Sequence, residues 1–172
     1  LKFLKKGGVE MIKQSCIFLD RDGVINFERG EHTYLTDDFI INTGLFEGLK
    51  KLKQKGFIFI IITNQSGIAL AKYTANEMNA CHRILIDEAD KHHVKFEAIY
   101  FCPHHPSVSK CLCRKPDSLL LEKAIVKFNI DVETSWFIGD KQRDSDAAHK
   151  VGVKSILMSS NQNINEVLHL IL

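Results

Sequence analysis

The chain has 172 residues, 45% hydrophobic and 26% charged, with 23 basic against 21 acidic side chains. That length suits one domain burying roughly 70% of its unfolded surface, and the composition excludes disordered, collagenous and low-complexity chains. A formal net charge of +2 argues against a nucleic-acid-coating or anionic-membrane protein, and the longest purely apolar run, residues 57–62, falls far short of the ~20 residues of a membrane span.

Taken in chain order, short apolar runs rich in Ile and Phe predict strands at 16–19, 57–62, 98–101, 136–138 and 155–158. Most are continuous rather than alternating, as expected of strands covered on both faces. Between the first two, Leu45, Leu49 and Leu52 recur at helical spacing and Gly56 follows as a stop signal. Residues 74–93 then place Met78, Cys81, Leu85 and Ala89 on one helix face. Asp117 is positioned to cap a helix carrying Leu120, Leu121, Ala124, Ile125 and Phe128 inward. Residues 144–151 and 163–171 read as two shorter helices. This strict alternation predicts a Rossmann-like three-layer α/β sandwich around a mainly parallel sheet.

The cysteines add a compartment and a metal. Cys102, Cys111 and Cys113 fall within twelve residues of one another, beside His104 and His105. Their number is odd over the whole chain, and the opening residues carry no long apolar stretch of a secretory signal. A reducing cytoplasm is expected, in which such a cluster suggests a metal rather than disulfides. Cys16 and Cys81 lie in apolar patterns and read as core residues. Met11 reads as the start of the domain proper, 11–172, with residues 1–10 as an extension.

In open parallel sheets, ligands bind beyond the carboxyl ends of the strands, so the residues after each strand matter most. After the first come Asp20, Arg21, Asp22 and Gly23. Two carboxylates this close, with Asp140 as a third, make an oxygen-rich site for a hard cation such as Mg2+. After the second come Thr63, Asn64, Gln65, Ser66 and Gly67. They offer a hydroxyl, amides and backbone N–H groups suited to phosphate oxygens. The third strand leads into the Cys/His segment and then Arg114 and Lys115, and the fourth into Gly139, Asp140 and Lys141, with Asp144 nearby.

The segment Leu19-Asp20-Arg21-Asp22-Gly23-Val24-Ile25-Asn26 resembles the first signature of the haloacid dehalogenase superfamily of phosphatases. Thr63-Asn64-Gln65-Ser66-Gly67-Ile68-Ala69 resembles the second, Lys115 the third, and Gly139-Asp140 with Asp144 the fourth. The Cys-Pro-His-His-Pro and Cys-Leu-Cys-Arg-Lys-Pro segments are similar to the zinc-binding histidinol-phosphatase branch, and within it most of all to the heptose bisphosphate phosphatases.

The resemblance implies a haloacid dehalogenase-like fold and hydrolysis of a phosphomonoester. Asp20 would be the nucleophile and Asp22 the general acid, then base. Mg2+ would be held by Asp20, the Asp22 carbonyl and Asp140. Thr63 and Lys115 would stabilise the transferring group with Asn64 positioning, and Asp144 would stand behind Lys115 or the metal. Structural zinc would be held by Cys102, His104, Cys111 and Cys113, a closed tetrahedral set; His105 is the rival of His104, and the resemblance favours His104.

Substrate contacts are expected from Glu28, Arg29, Gly30 and Glu31 in a flap over 28–38, from Asn64, Gln65 and Ser66, and from Arg114 and Lys141. The flap departs from the branch pattern, with Tyr34 displaced along it, and Leu70 stands where relatives often carry arginine. Neither interval between signatures has room for a large cap domain, so an open site, a small phosphorylated sugar as substrate and a monomer are expected, with no nucleic-acid or membrane partner. A histidinol-phosphate phosphatase is the runner-up, because only six residues separate His104 from Cys111. A nucleic-acid end-phosphatase and a non-catalytic zinc-stabilised interaction module are the further alternatives.

Overall fold

The structure, a computed structural model, describes residues 12–172; the expected extension over residues 1–10 and the start at Met11 lie outside the described residues. Five strands form one parallel sheet: β1 (Cys16–Leu19), β2 (Ile58–Asn64), β3 (Phe96–Cys102), β4 (Trp136–Gly139) and β5 (Lys154–Leu157), in the order β3-β2-β1-β4-β5. The order reverses at β1, which lies between β2 and β4, so their carboxyl ends open on one crevice at the sheet's switch point.

Alternate residues of each strand serve opposite faces. Ile17, Leu19, Phe59 and Ile61 enter one apolar cluster, and Cys16, Phe18, Ile60 and Ile62 the other. Helices α1 (Leu45–Gln54) and α2 (Ala75–Lys91) supply Leu45, Leu49, Leu52, Cys81, Leu85 and Ala89 to the first. Helices α3 (Leu119–Phe128) and α4 (Gln142–Lys150) supply Leu120, Leu121, Ala124, Ala147 and Ala148 to the second. The three-layer prediction holds, and Cys16 and Cys81 are both core residues. The central strand β1 is buried throughout, whereas edge strand β3 is half-buried along most of its length. A sheet edge has only one laterally paired side, so its apolar run is less fully covered.

Three local expectations are corrected. Asp117 does not cap α3: Ser118 holds that position, and Asp117 pairs instead with Lys150 at 2.9 Å, because a turn from Arg114 O to Asp117 N delays the helix. Helix α4 begins two residues earlier than expected, because the Asp144 carboxylate reaches back to the Lys141 N–H at 3.0 Å and caps the first turn. Residues 163–171 form two short 3-10 turns, Ile164–Glu166 and Leu168–Leu170, rather than one helix. There Asn163 Oδ1 accepts from Asn165 N at 3.0 Å, and Asn165 Nδ2 donates to Gly44 O at 2.9 Å. Such side-chain bonds compete with continuous helix, while Ile164 and Leu168 still bury themselves against α1.

Between β1 and α1 the chain forms the expected flap instead of a cap domain. Arg21 O accepts from Ile25 N and Asn26 N, folding the chain back immediately after the strand. A single 3-10 turn, Thr36–Asp38, closes the flap. No helix among the described residues is long and apolar enough to cross a membrane.

Candidate active site

A cleft of about 860 Å³ opens at the carboxyl ends of the strands. On its floor Asp20, 3% exposed, sits at the end of β1 with Oδ1 2.9 Å from Lys115 Nζ. The same ammonium lies 2.7 Å from Asp144 Oδ1 and donates to Ile62 O at 2.7 Å. Lys115 is only 1% exposed, so its charge is held entirely by these partners and by the face of Phe137, 5.2 Å away. Burial pushes Asp20 up to about 7, against the pull of Lys115, with Asp144 adding repulsion.

Asp140 enters from the end of β4. Its Oδ2 accepts from Ser160 and lies 2.9 Å from Lys141 Nζ, whereas its buried Oδ1 has no hydrogen-bond partner among the described residues. Carboxylate oxygens of Asp20, Asp140 and Asp144 lie within 4.8 Å of one another. An orphaned buried acceptor within a cluster of hard oxygen donors fits a hard divalent cation. Gly23 is needed beside it: a Cβ there would collide with the Asp140 carboxylate, and its φ of +88° favours glycine in any case.

Asp22 does not join that cluster through its carboxylate, a correction to the pairing read from the sequence. The chain turns after Asp20, and the side chain points elsewhere. Its Oδ1 accepts from Arg21 at 2.8 and 3.2 Å and from Asn26 at 3.0 Å, and its Oδ2 accepts from Gln65 Nε2 at 3.0 Å. Burial would raise its pKa, but the Arg21 guanidinium and these hydrogen bonds prevail and hold it below the usual range. Toward a cation at the cluster, Asp22 can therefore offer only its backbone carbonyl.

The second strand's turn is more committed than the sequence suggests. Thr63 is buried and accepts from Gln65 Nε2 at 2.9 Å. Asn64 spends its amide on the backbone of Lys115, donating to O and accepting from N, both at 3.0 Å. It positions Lys115 and keeps one N–H of its amide nitrogen beyond these two bonds. Gln65 is satisfied: besides its two donated bonds, Oε1 accepts from Tyr73 OH at 2.7 Å. Among the expected contacts, Glu28, Gly30, Glu31, Asn64, Gln65, Ser66, Arg114 and Lys141 line the cleft. Arg29 does not; it turns away to pair with Asp38. Arg114 also donates to His104 O at 3.3 Å, which links the cleft to the Cys/His segment.

Tyr34 was read as displaced along the flap, and the lining residues His32, Lys72 and Tyr73 escaped the sequence reading. Tyr34 and Tyr73 stack with centroids 5.0 Å apart and planes 9° apart, and His32 meets Tyr73 edge-on at 5.6 Å. Tyr34 thus lies in the cleft despite its displacement, and Lys72 supplies a cation near where Leu70 cannot. Arg21 is 1% exposed and ties Asp22 to the flap through Thr33 O at 2.9 Å. No periodicity marks these residues, since the pairs are far apart in sequence. Ser160 was findable: it follows β5, and the rule that directs attention to strand ends applies there too.

In the loop after β3, Cys102, His104, Cys111 and Cys113 bring their ligand atoms within 4.8 Å of one another. Cys102 Sγ lies 3.1 Å from Cys113 Sγ and 3.6 Å from Cys111 Sγ, and His104 Nδ1 lies 3.2 Å from Cys113 Sγ. These thiols are free, well beyond the ~2.05 Å of a disulfide. Tetrahedral zinc with ordinary bond lengths would separate its ligand atoms by roughly 3.5–3.8 Å, close to this spacing, so the set could hold a soft-ligand metal ion. His105 stands outside it, bonded to Ser107 Oγ at 2.7 Å.

A buried aspartate at the end of the central strand, a lysine clamped between it and a second aspartate, and a third aspartate with a free oxygen define a phosphatase of the haloacid dehalogenase-like class. Comparison with known proteins agrees. A family model described as HAD-hydrolase-like matches residues 112–169. The chain is 36% identical to the D-glycero-beta-D-manno-heptose-1,7-bisphosphate 7-phosphatase of Haemophilus ducreyi, over 83% of this chain and 81% of that one. It is 33% identical to the D-glycero-alpha-D-manno-heptose-1,7-bisphosphate 7-phosphatase of Campylobacter jejuni, over 88% of this chain and 86% of that one. Among solved structures, the D,D-heptose 1,7-bisphosphate phosphatase of B. bronchiseptica, complexed with magnesium and phosphate, superposes with a TM-score of 0.81 at 28% identity, over 91% of this chain and 87% of that one. The chain belongs to this phosphatase family of the haloacid dehalogenase-like hydrolases.

Proposed function

We propose that this phosphatase removes the 7-phosphate of D-glycero-D-manno-heptose 1,7-bisphosphate, in the synthesis of a heptose precursor, and does so with Mg2+. The observation that carries the reading is the Asp20–Lys115–Asp144 chain of contacts beside the unpartnered oxygen of Asp140. The names of its relatives support the substrate. Asp20, Asp140 and the carbonyl of Asp22 would hold Mg2+, whose charge would offset repulsion between nucleophile and phosphate.

Asp20 attacks phosphorus while the bond to the sugar oxygen breaks; that oxygen leaves with the bond pair and takes a proton from Asp22, which must first take one up from solvent because its surroundings favour the carboxylate. Asp22, now a carboxylate, takes a proton from water. The water oxygen attacks the aspartyl-phosphate, the bond to Asp20 breaks, and inorganic phosphate departs. Lys115 and Thr63 stand where they can stabilise the transferring group. Asp144 keeps Lys115 aimed, and Asn64 fixes the backbone that carries it.

Zinc in the Cys102, His104, Cys111 and Cys113 set would leave no open position for water and would be structural. It would order a loop with little apolar content and direct Arg114 and Lys115 to the cleft. Kept thiols favour a reducing cytoplasm, and a cleft complete within one chain favours a monomer.

The test is phosphate release with Mg2+ from both heptose bisphosphate anomers and from histidinol phosphate. Turnover of a heptose bisphosphate should be fastest; faster hydrolysis of histidinol phosphate would overturn the substrate while leaving the reaction class intact. Metal analysis of the untreated protein should find one zinc per chain.

A further inference from the structure

We propose that Tyr73 is a positioning residue that sets the orientation of the general acid Asp22, acting through the amide of Gln65. The inference rests on the phosphatase reading above, but not on which sugar phosphate is the substrate.

Gln65 is 2% exposed, so its amide must find its partners within the protein. Its Nε2 donates twice, to Asp22 Oδ2 at 3.0 Å and to Thr63 Oγ1 at 2.9 Å. The bond to the Asp22 carboxylate requires nitrogen, not oxygen, on that side of the amide, and the Thr63 hydroxyl accepts from the same nitrogen. A flipped amide would turn Oε1 toward the Asp22 carboxylate, two acceptors face to face. The Asp22 carboxylate, which only accepts, sets which way the amide faces, and the other end of the group holds it there: the Tyr73 hydroxyl donates to Oε1 at 2.7 Å. With that hydroxyl present, all the amide's polar atoms are satisfied in one orientation. Without it, Oε1 is a buried acceptor with no partner, and the amide loses its reason to hold both bonds.

The tyrosine is itself firmly placed. It is 5% exposed, stacked on Tyr34 and met edge-on by His32. Gly67 lies beneath it, and a Cβ there would collide with the ring. The aromatic pair joins the flap to the loop before α2, so flap and acid share one chain of contacts, from Tyr34 through Tyr73 and Gln65 to Asp22. Tyr73 lines the cleft, but its hydroxyl is already committed to Gln65. Its effect on the reaction is therefore indirect.

A general acid matters in proportion to how poor the leaving group is. A sugar alkoxide needs its proton in the transition state, whereas p-nitrophenolate leaves almost without one. The experiment compares Tyr73→Phe with the parent chain on whichever alkyl phosphate, heptose bisphosphate or histidinol phosphate, the parent hydrolyses faster, and on p-nitrophenyl phosphate, all with Mg2+. The ring and its stack remain in this variant, and its thermal midpoint verifies folding. Because Asp22 also serves as base when the aspartyl-phosphate is hydrolysed, a step common to both esters, the rate read is single-turnover release of the leaving group, expected to fall about tenfold on the alkyl ester and within about twofold on the aryl ester. Equal losses on the two esters, or none, would overturn the proposal. If the parent chain hydrolyses neither ester, the phosphatase reading beneath it fails instead, which is a distinguishable result. A double-mutant cycle gives a second check. Gln65→Leu and the Gln65→Leu, Tyr73→Phe pair should lose activity to the same degree, since the hydroxyl acts only through the amide; additive losses would also overturn it.

Discussion

The carboxylate–lysine centre and the Cys/His loop each gather four reactive side chains, and they hold them by opposite means. Asp20, Asp140 and Asp144 come from the ends of β1 and β4 and the first turn of α4, and Lys115 bridges two of them while bonded to the backbone of β2. Sheet register alone places two of these four, Asp20 and Asp140. In the loop only Cys102 belongs to a strand; His104, Cys111 and Cys113 lie in irregular chain with exposed Val108 and Leu112 between or beside them. Sheet-borne charges remain in place because the core does, whereas loop ligands remain in place only if something binds them. Lys115 belongs to both regions, since it follows the loop and ends in the centre.

Substitution at the centre should therefore remove chemistry and spare the fold. Asp20→Asn is expected to lose at least ~10³-fold in kcat with an unchanged thermal midpoint; retained turnover would break the assignment of the nucleophile. Substitution in the loop should do the reverse first. Cys113→Ser is expected to release zinc and lower the midpoint by about 10 °C, with activity falling as Arg114 and Lys115 lose their support. A midpoint that does not move would show that the loop needs no metal.

Asp144→Asn sharpens the boundary between the two regions. It removes one of the two carboxylates on Lys115 without touching the loop, and is expected to lower kcat by about 10²-fold while zinc content stays constant. Below the centre, His82 provides a pH test. Burial, reinforced by Arg21 3.5 Å away, pulls His82 down to about 4. Its unfolded value is about 6.5, so the unfolded chain binds a proton in that interval that the folded chain refuses. Stability from this group is complete above about 6.5 and falls as pH drops toward 4, by about 3 kcal/mol at most. Denaturant melts at pH 7 and pH 5 should show the fall, and His82→Gln should flatten it. The smallest effect is expected at Arg29, whose partner Asp38 is partly exposed. Arg29→Ala should leave kcat/KM within about twofold, because surface pairs contribute little.

Residues that act through neighbours in sequence were legible; those that act through the fold were not. Strand ends bearing Asp20, Thr63 and Asp140 could be read because a continuous apolar run locates the end of a buried strand. The Cys/His set could be read from spacing; the resemblance already favoured His104 over His105, and the geometry agrees. Asn64 and Gln65 looked like substrate donors because their amides suit phosphate; which bonds they had already made depended on Lys115 and Tyr73, distant in sequence. The 3-10 turns at the chain's end were missed because apolar spacing there fits a helix, and only the bonds from Asn163 and Asn165 break it.

By itself, then, the sequence determined the α/β order, the rim on which the chemistry lies and the residue types available there, because each follows from local periodicity and from what terminates a strand. Tertiary structure decided which of those groups are free. It turned the Asp22 carboxylate toward Arg21 and Gln65, left Asp140 with an unpartnered oxygen, drew Arg29 off to Asp38 and brought Tyr34 onto Tyr73. Hydrogen-bond partners of buried polar groups are contacts between elements, and no local pattern in the chain encodes them.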